Sequence, residues 1–424
     1  MTNNDSALIS KSIMVVGGGI SGITTALEAA EVGYEVFLLE KQPSLGGRVS
    51  QLKHYFPKLC PPSCGLEINY KRIRDNKNIK VLTMSQVQKV SGSNGDYTVS
   101  VKISPRYVNE NCTACGECEK VCDTKIPNEF NFDMDDRKAA YLPDNMPFPM
   151  RYVMDSAMSM DDRDKVQQAC KYDAIDFEMQ EKTIELKVGS IVWSTGWEPY
   201  DATKIDKLGF NRHQNVITNM MLERMASLNG PTCGKILRPS DNQGIKTIAF
   251  AQCAGSRDEN HLPYCSYICC MASLKHATYI REQYPDAKIY IYYIDLRTPG
   301  RKYEKFYAQL KQDENVFFVK GKVAQADEDP DTKNINIVVE DTIKNEKITQ
   351  NVDMLILATG MQPSLAFNKP DVDLNYNEDG FVVNDFSNGS IFGAGCANKP
   401  ADVITSNQNA TGIALKAIQA LVRR

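Results

Sequence analysis

Residues 12–41, SIMVVGGGISGITTALEAAEVGYEVFLLEK, constrain the fold of this chain more than any other stretch. A β-rich run, Ile13 to Val16, turns through Gly17, Gly19 and Gly22 into a helix rich in small residues. A second strand follows, from Glu35 to Leu39, and ends at Glu40 with Lys41 beside it. In such a unit the first glycine permits a tight turn and the second lets the backbone approach a pyrophosphate. The third allows helix and strand to pack closely, and the acid about 20 residues on grips a ribose. The helix N-terminus favours the phosphates. Strand, glycine turn, helix, strand and acid are all in register, so the chain is expected to open with a dinucleotide site.

The next residues, KQPSLGGRVS, point to FAD as the dinucleotide. A Gly46-Gly47-Arg48 turn soon after the ribose acid is typical of two-dinucleotide-binding flavoproteins, where Gly47 and Arg48 continue along the cofactor. VDMLILATGMQPS, at the far end, is a strand breaking at Thr359-Gly360. SIFGAGCANKPADVITSNQNATGIALKAI resembles the closing FAD motif, with Gly395-Cys396 where family members often carry Gly-Asp for the ribityl chain. GSIVWSTGWEP, with Thr195 and Gly196, reads as the earlier strand-to-glycine break on the other side of a central domain.

Between these segments lies a different texture. CTACGECEKVC places Cys112, Cys115, Cys118 and Cys122 in the bacterial ferredoxin run, which holds a [4Fe–4S] cube with three thiolates and sends its fourth to a second cube. A matching second motif survives only as its tail, ACKYDAIDFE, with Cys170 and no cysteines before it. The ligand set expected for one cluster is Cys112, Cys115, Cys118 and Cys170, with Cys122 as the alternative fourth thiolate. The linking residues 126–155, IPNEFNFDMDDRKAAYLPDNMPFPMRYVMD, show no periodicity and read as a long loop that packs on the domain or on a partner.

A second nucleotide-binding domain is expected at residues 216–345, with strands in KTIAFA, AKIYIYYID and NVFFVKG and a helix around MASLKHATYIREQY. It has no GxGxxG. In its place CAGSRDENHLPYCSYICC carries Cys253, Cys265, Cys269 and Cys270. On a helical turn Cys265 and Cys269 would face one side, and Cys253 would join them from the strand end. Four converging thiolates suit a second [4Fe–4S] cluster; zinc or buried redox thiols are the other readings. Cys60 and Cys64, in FPKLCPPSCGLE, are either a redox pair near the flavin or packing thiols. Cys233 and Cys396 are single. The four histidines show no ligand spacing, and among them only His261 lies in the thiol loop.

The expected fold class is therefore α/β, a thioredoxin-reductase-like two-dinucleotide-binding flavoprotein with an inserted ferredoxin-like α+β segment. Its expected parts are a first FAD-binding segment (1–104), the insert (105–178), FAD-domain return strands (179–215), the degenerate nucleotide-binding domain (216–345) and a C-terminal FAD-binding segment (346–424). A chain of 424 residues supports several domains. A net charge of −4 with scattered Lys and Arg argues against nucleic acid as a partner. No apolar run is long enough to span a bilayer, and the N-terminus lacks a basic leader, so a cytoplasmic protein is expected. Thirteen cysteines, ten of them clustered, suit metal or redox work in a reducing compartment better than disulfides.

The glycine motif, the insert and especially QCAGSRDENHLPYCSYICCM resemble the A subunit of heterodisulfide reductases. Overall length and the half-degenerate insert bring the chain nearest to the A subunit of the quinone-interacting membrane-bound oxidoreductase complex of sulfate reducers. The resemblance implies an electron-transfer oxidoreductase component that is active within a complex and carries FAD and two clusters. One implied partner is a second heterodisulfide-reductase-A-like subunit with flavin and iron–sulfur groups. The other is a haem- or quinone-binding membrane subunit, through which the chain would associate peripherally with the membrane. Adenylylsulfate reductase is the implied electron acceptor, in dissimilatory sulfate reduction. Other readings are flavin-based electron bifurcation and an NAD(P)H-dependent disulfide reductase.

Overall fold

In the computed structural model, residues 11–56, 59–372, 374–387 and 389–422 are described. The amino-terminal stretch read as lacking a leader lies, up to residue 10, outside them.

The first sheet is parallel and five-stranded, ordered Ile391–Gly393, Ser190–Trp193, Ser12–Val16, Glu35–Glu40 and Ile79–Thr83. Its inner strands read as continuous apolar runs because both faces are covered. The Ile20–Glu31 helix lies on one face, with Gly22, Ala26, Ala29 and Ala30 buried. The Val403–Val422 helix packs beside it through Ala410, Ala414 and Ala417. Short side chains on both helices allow this close approach, and Thr24 Oγ1 reaches Asn407 Oδ1 at 3.3 Å across the seam. Two strands from opposite ends of the chain thus complete one sheet, as the two separated FAD segments require.

An antiparallel sheet of Ser85–Ser93, Asp96–Ile103 and Lys182–Val188 closes this domain. Asp96–Ile103 and Lys182–Val188 are direct neighbours, and the whole insert leaves and returns between them. Inside the insert, the Glu117–Val121 and Met160–Ala169 helices and two short ribbons surround their own core of Cys118, Cys122, Tyr152, Met158, Val166 and Ile175.

The second sheet has seven strands, ordered Val216–Thr218, Met354–Thr359, Thr247–Ala254, Lys288–Tyr293, Val316–Glu328, Ile335–Asp341 and Glu346–Val352. The first five are parallel; the last two form an antiparallel meander. Residues 346–359 therefore belong to this sheet, and the boundary expected at 345/346 moves to after Thr359. MLILAT is wholly buried and pairs in parallel on both sides, with Val216–Thr218 and Thr247–Ala254. A ribbon of Trp197–Pro199 with Met361–Pro363 carries the chain out of and back into the FAD-type domain.

Candidate functional site

A continuous cleft of about 2000 Å³ runs between the two sheets and under the insert. Gly17, Gly19, Glu40, Lys41, Gly47, Arg48, Thr195, Gly196 and Cys396 all line it. At its phosphate end the glycines are required by geometry. Gly17 has φ +106, and a Cβ on Gly22 would lie 1.8 Å from the Gly17 carbonyl oxygen. The Gly46-Gly47 turn is clamped to this loop: Gly46 N–H donates to Gly18 O at 2.9 Å, and a Cβ on Gly47 would press on Gly19 Cα at 2.9 Å. Glu40 is buried, which raises its carboxyl above the ordinary value against the pull of the Gln42 and Gly18 N–H groups. Each carboxyl oxygen takes one of those N–H bonds, at 2.7 Å, and keeps a lone pair for a ribose hydroxyl. Ser194 Oγ and Thr195 Oγ1, buried in the cleft wall, have no partner. Bare glycine backbone, a ribose acid and unanswered hydroxyls are the donor set an FAD would satisfy.

Other residues expected to touch the cofactor sit differently. Arg48 is desolvated, which lowers its pKa to about 10. Its guanidinium is engaged by Trp197 O at 3.1 Å, by Gln51 Oε1 and by Glu198, so it braces the cleft wall. Gly395 is pressed on Ser21, and Thr359 and Gly360 back onto the thiol loop instead of the cleft. Cys396 Sγ donates to Ala401 O at 3.5 Å. Neither Cys60 nor Cys64 lines the cleft; Cys64 is exposed near the start of the Pro62–Asp75 helix.

All thirteen cysteines are thiols. In the insert, burial pushes Cys118 up to about 12, with Cys112 and Cys115 adding to the effect, so these three thiols feel one another. Cys170, half-buried, packs against the same core and accepts the Ala174 N–H at 3.4 Å. Cys122 is fully buried in another setting, with Sγ 3.7 Å from Asp162 Oδ2 and 3.8 Å from Thr124 O.

The central thiols gather where a strand–turn–helix unit would hold a phosphate. The Thr247–Ala254 strand slips register at its end, and Cys253 there has φ 57, as a bulge that re-aims a side chain does. The helix begins only at Cys269, so Cys265 stands in the preceding loop; this corrects the expectation that Cys265 and Cys269 share a helical turn. A loop is required because Ser256 Oγ meets Ser266 Oγ at 3.0 Å and Tyr264 OH donates to Met361 O, pinning residues 256–266 across the sheet end. Cys269 and Cys270 lie at a helix N-terminus, which favours thiolate. Burial drives the Cys269 thiol well above its ordinary value, and Cys270, Cys253 and Cys265 each raise it further, so all four interact. Among the described residues no three His, Cys, Asp or Glu side chains are arranged to hold a single metal ion. A four-iron cube sets its thiolates farther apart than one ion does, and four mutually repelling buried thiols suit a polycationic core.

Over 420 residues, 96% of its length, the chain is 37% identical to the iron-sulfur A subunit 2 of CoB–CoM heterodisulfide reductase from Methanopyrus kandleri. Over 84% of its length it is 39% identical to the iron-sulfur A subunit of CoB–CoM heterodisulfide reductase from Methanocaldococcus jannaschii. Over most of its own length the chain is similar to heterodisulfide reductase A subunits. The chain spans 64% and 54% of those two relatives' own lengths. The NAD(P)-binding Rossmann-like domain family matches residues 15–79 of this chain. Thioredoxin reductase of Lactococcus lactis shares its fold at a TM-score of 0.55 with 12% identity, covering 98% of this chain and 100% of that one.

Sequence reading missed the charged centre of this chain. Glu223, on the short Asn219–Met225 helix, is 1% exposed and accepts from Lys53 N, Lys275 Nζ, His276 Nε2 and Tyr279 OH. Burial pushes its carboxyl up, but Lys275 and His276 outweigh that and hold it below the ordinary range. Burial keeps His276 below its ordinary value too; Nε2–H donates to Glu223 at 2.5 Å while Nδ1 has no partner. Glu223, Lys275 and His276 all line the cleft, and Lys275 and His276 sit nearly two turns beyond Cys269 and Cys270 on the same helix. The only sequence signal was the run of lysine and histidine on an otherwise apolar helix face.

Proposed function

We propose that this chain is a flavin- and iron–sulfur-bearing electron-transfer subunit, an oxidoreductase component that works inside a larger complex. One observation carries the reading: the first dinucleotide cleft keeps its phosphate turn, whereas the second has four thiols at the strand end and helix start where its phosphate turn would be. Gly17, Gly19, Gly22, Glu40 and Gly47 would hold FAD. Cys112, Cys115, Cys118 and Cys170 would hold one [4Fe–4S] cluster, and Cys253, Cys265, Cys269 and Cys270 another. When bound, flavin can exchange electrons in pairs or singly and each cluster singly. The chain's own part is to fix their positions, bury the thiols and exclude water from the cleft floor.

Relatives named as heterodisulfide reductase subunits, one of them as part of an H(2):CoB-CoM heterodisulfide,ferredoxin reductase, support a multisubunit setting. Within it the chain would relay electrons between a quinone-reactive or haem-bearing membrane protein and a sulfur-metabolism reductase such as adenylylsulfate reductase, beside a second subunit of its own kind. No helix among the described residues is long and apolar enough to cross a membrane, so this reading places any membrane attachment in a partner.

Anaerobic purification tests it. We expect about eight irons and about one FAD per chain; zinc in place of iron would overturn the central assignment. Cys170→Ala should remove the insert cluster and Cys122→Ala should leave it, because Cys122 is already occupied against Asp162. The opposite pattern would exchange the two ligands. NADH and NADPH should fail to bleach the flavin anaerobically, since nothing in the second domain cradles a pyrophosphate; rapid bleaching would return the chain to the disulfide reductases.

A further inference from the structure

We propose that Arg257 is the counter-charge of the central thiol site, donating an N–H to the sulfur of the iron–sulfur group there and raising its reduction potential. This rests on the reading of Cys253, Cys265, Cys269 and Cys270 as ligands of a [4Fe–4S] cluster.

Arg257 follows Cys253 by one tight turn and is held with φ 55, a left-handed conformation that a long L side chain adopts only when its surroundings impose it. Its backbone N–H donates to Tyr264 O at 3.0 Å, fixing that turn against the thiol loop. Nη2 pairs with Asp295 Oδ2 at 2.9 Å. Nη1 is buried and has no partner, although such a donor costs about 1–3 kcal/mol when left unanswered. The other end of Asp295 faces the same site, its carbonyl oxygen accepting from Cys270 Sγ at 3.6 Å. Arg257 and Asp295 therefore flank the quartet, with Arg297 a second cation beside Cys270 and one guanidinium N–H of Arg257 unanswered. Arg257 also opposes the burial-driven rise of the Cys253 and Cys270 thiols, as a cation beside both sulfurs must.

The insert offers a contrast. Its nearby guanidinium, Arg106, gives its Nη1 and Nη2 groups to the carbonyls of Arg151, Tyr152 and Pro43 and to Thr83 Oγ1. Arg137 and Arg163 there each leave a buried Nε–H unpaired, but their guanidinium planes lie over the rings of Tyr141 and Phe177. Among the described residues, Arg257 Nη1 is the one buried terminal guanidinium nitrogen without a partner.

Cluster potential depends on net charge and on hydrogen bonds to the sulfurs. An electron added to the cluster increases its negative charge, so Arg257 stabilises the reduced form and Asp295 opposes it. Arg257→Gln should lower the potential and Asp295→Asn should raise it, each by about tenfold in the one-electron equilibrium, or about 59 mV. Arg257→Lys keeps the charge without the planar fork and should fall between Arg257→Gln and wild type.

The test is an anaerobic potentiometric titration of the full chain followed by electron paramagnetic resonance, with iron measured on every sample. Opposite shifts in iron-replete Arg257→Gln and Asp295→Asn support the proposal. Unchanged potentials, or shifts of one sign, overturn it while leaving the cluster reading intact. If Arg257→Gln loses its iron, Arg257→Lys decides: a potential at or above that of wild type overturns the proposal. A Cys269→Ala chain with as much iron as wild type would instead sink the cluster reading itself.

Discussion

Glu223→Gln should destabilise the chain by about 3–5 kcal/mol, the usual effect of removing one partner from a buried, hydrogen-bonded ion pair. The carboxylate is buried beside Lys275, which also donates to His54 O at 2.6 Å, and the neutral amide would leave that ammonium uncompensated. An amide nitrogen would also face N–H donors where an oxygen now accepts. The measurement is the guanidinium midpoint of the purified holo-chain; a shift below about 1 kcal/mol would show that the pair is solvated. The pH dependence follows from sign. Glu223 is held below its ordinary value in the folded chain, so its contribution is present above the unfolded carboxylate range and is lost as pH falls through the folded value. His276 is held neutral by burial, so stability also falls as pH drops below about 6.5 and the unfolded imidazole gains a proton that the folded one resists. Glu223→Gln should flatten the acid limb of this profile.

Gly22→Ala should lower FAD affinity by at least about a hundredfold, on the order of 3 kcal/mol. The new methyl would sit 1.8 Å from the Gly17 carbonyl oxygen, and the turn could accommodate it only by moving the backbone that faces the pyrophosphate. Gly412→Ala is the matched control. It lies in the Val403–Val422 helix with nothing within 4 Å of its would-be Cβ, and should be neutral or stabilising by about 0.5–1 kcal/mol. Flavin absorbance per chain reads the first effect, and circular dichroism with thermal unfolding shows whether the protein has folded. Normal flavin content in a folded Gly22→Ala chain would refute the phosphate turn.

What was legible in the sequence followed the parts governed by local rules. The Gly17–Gly22 turn and the acid at Glu40 are dictated by backbone sterics within one strand–helix–strand unit, so they could be read directly. The insert was legible because Cys112, Cys115 and Cys118 keep a local spacing. The helix start at Cys269 was not, because Cys265 is kept out of the helix by contacts of Tyr264 and Ser266 to Met361, far along the chain. The placement of residues 346–359 was missed for a similar reason. Its wholly apolar strand fits either sheet by pattern, and only pairing with Val216–Thr218 and Thr247–Ala254 decides. The unpatterned stretch after Cys122 was expected to pack on a domain or a partner; within this chain it packs on the first domain, with Phe148 stacked on Tyr70. Glu223 was invisible because its partners come from residues 53–54 and 275–279, and no short-range pattern records such a meeting.

Arg224, next to Glu223, is fully buried and bonds in three directions: Nε to Asn131 of the insert, Nη1 to Gln51 O of the first domain and Nη2 to Asn229 of the second. One guanidinium is therefore common property of three segments that read as separate modules in the sequence. Removing any one of them would leave this buried cation short of a partner. The units are tied together in space, and the spans between their sites are set once, when the chain folds.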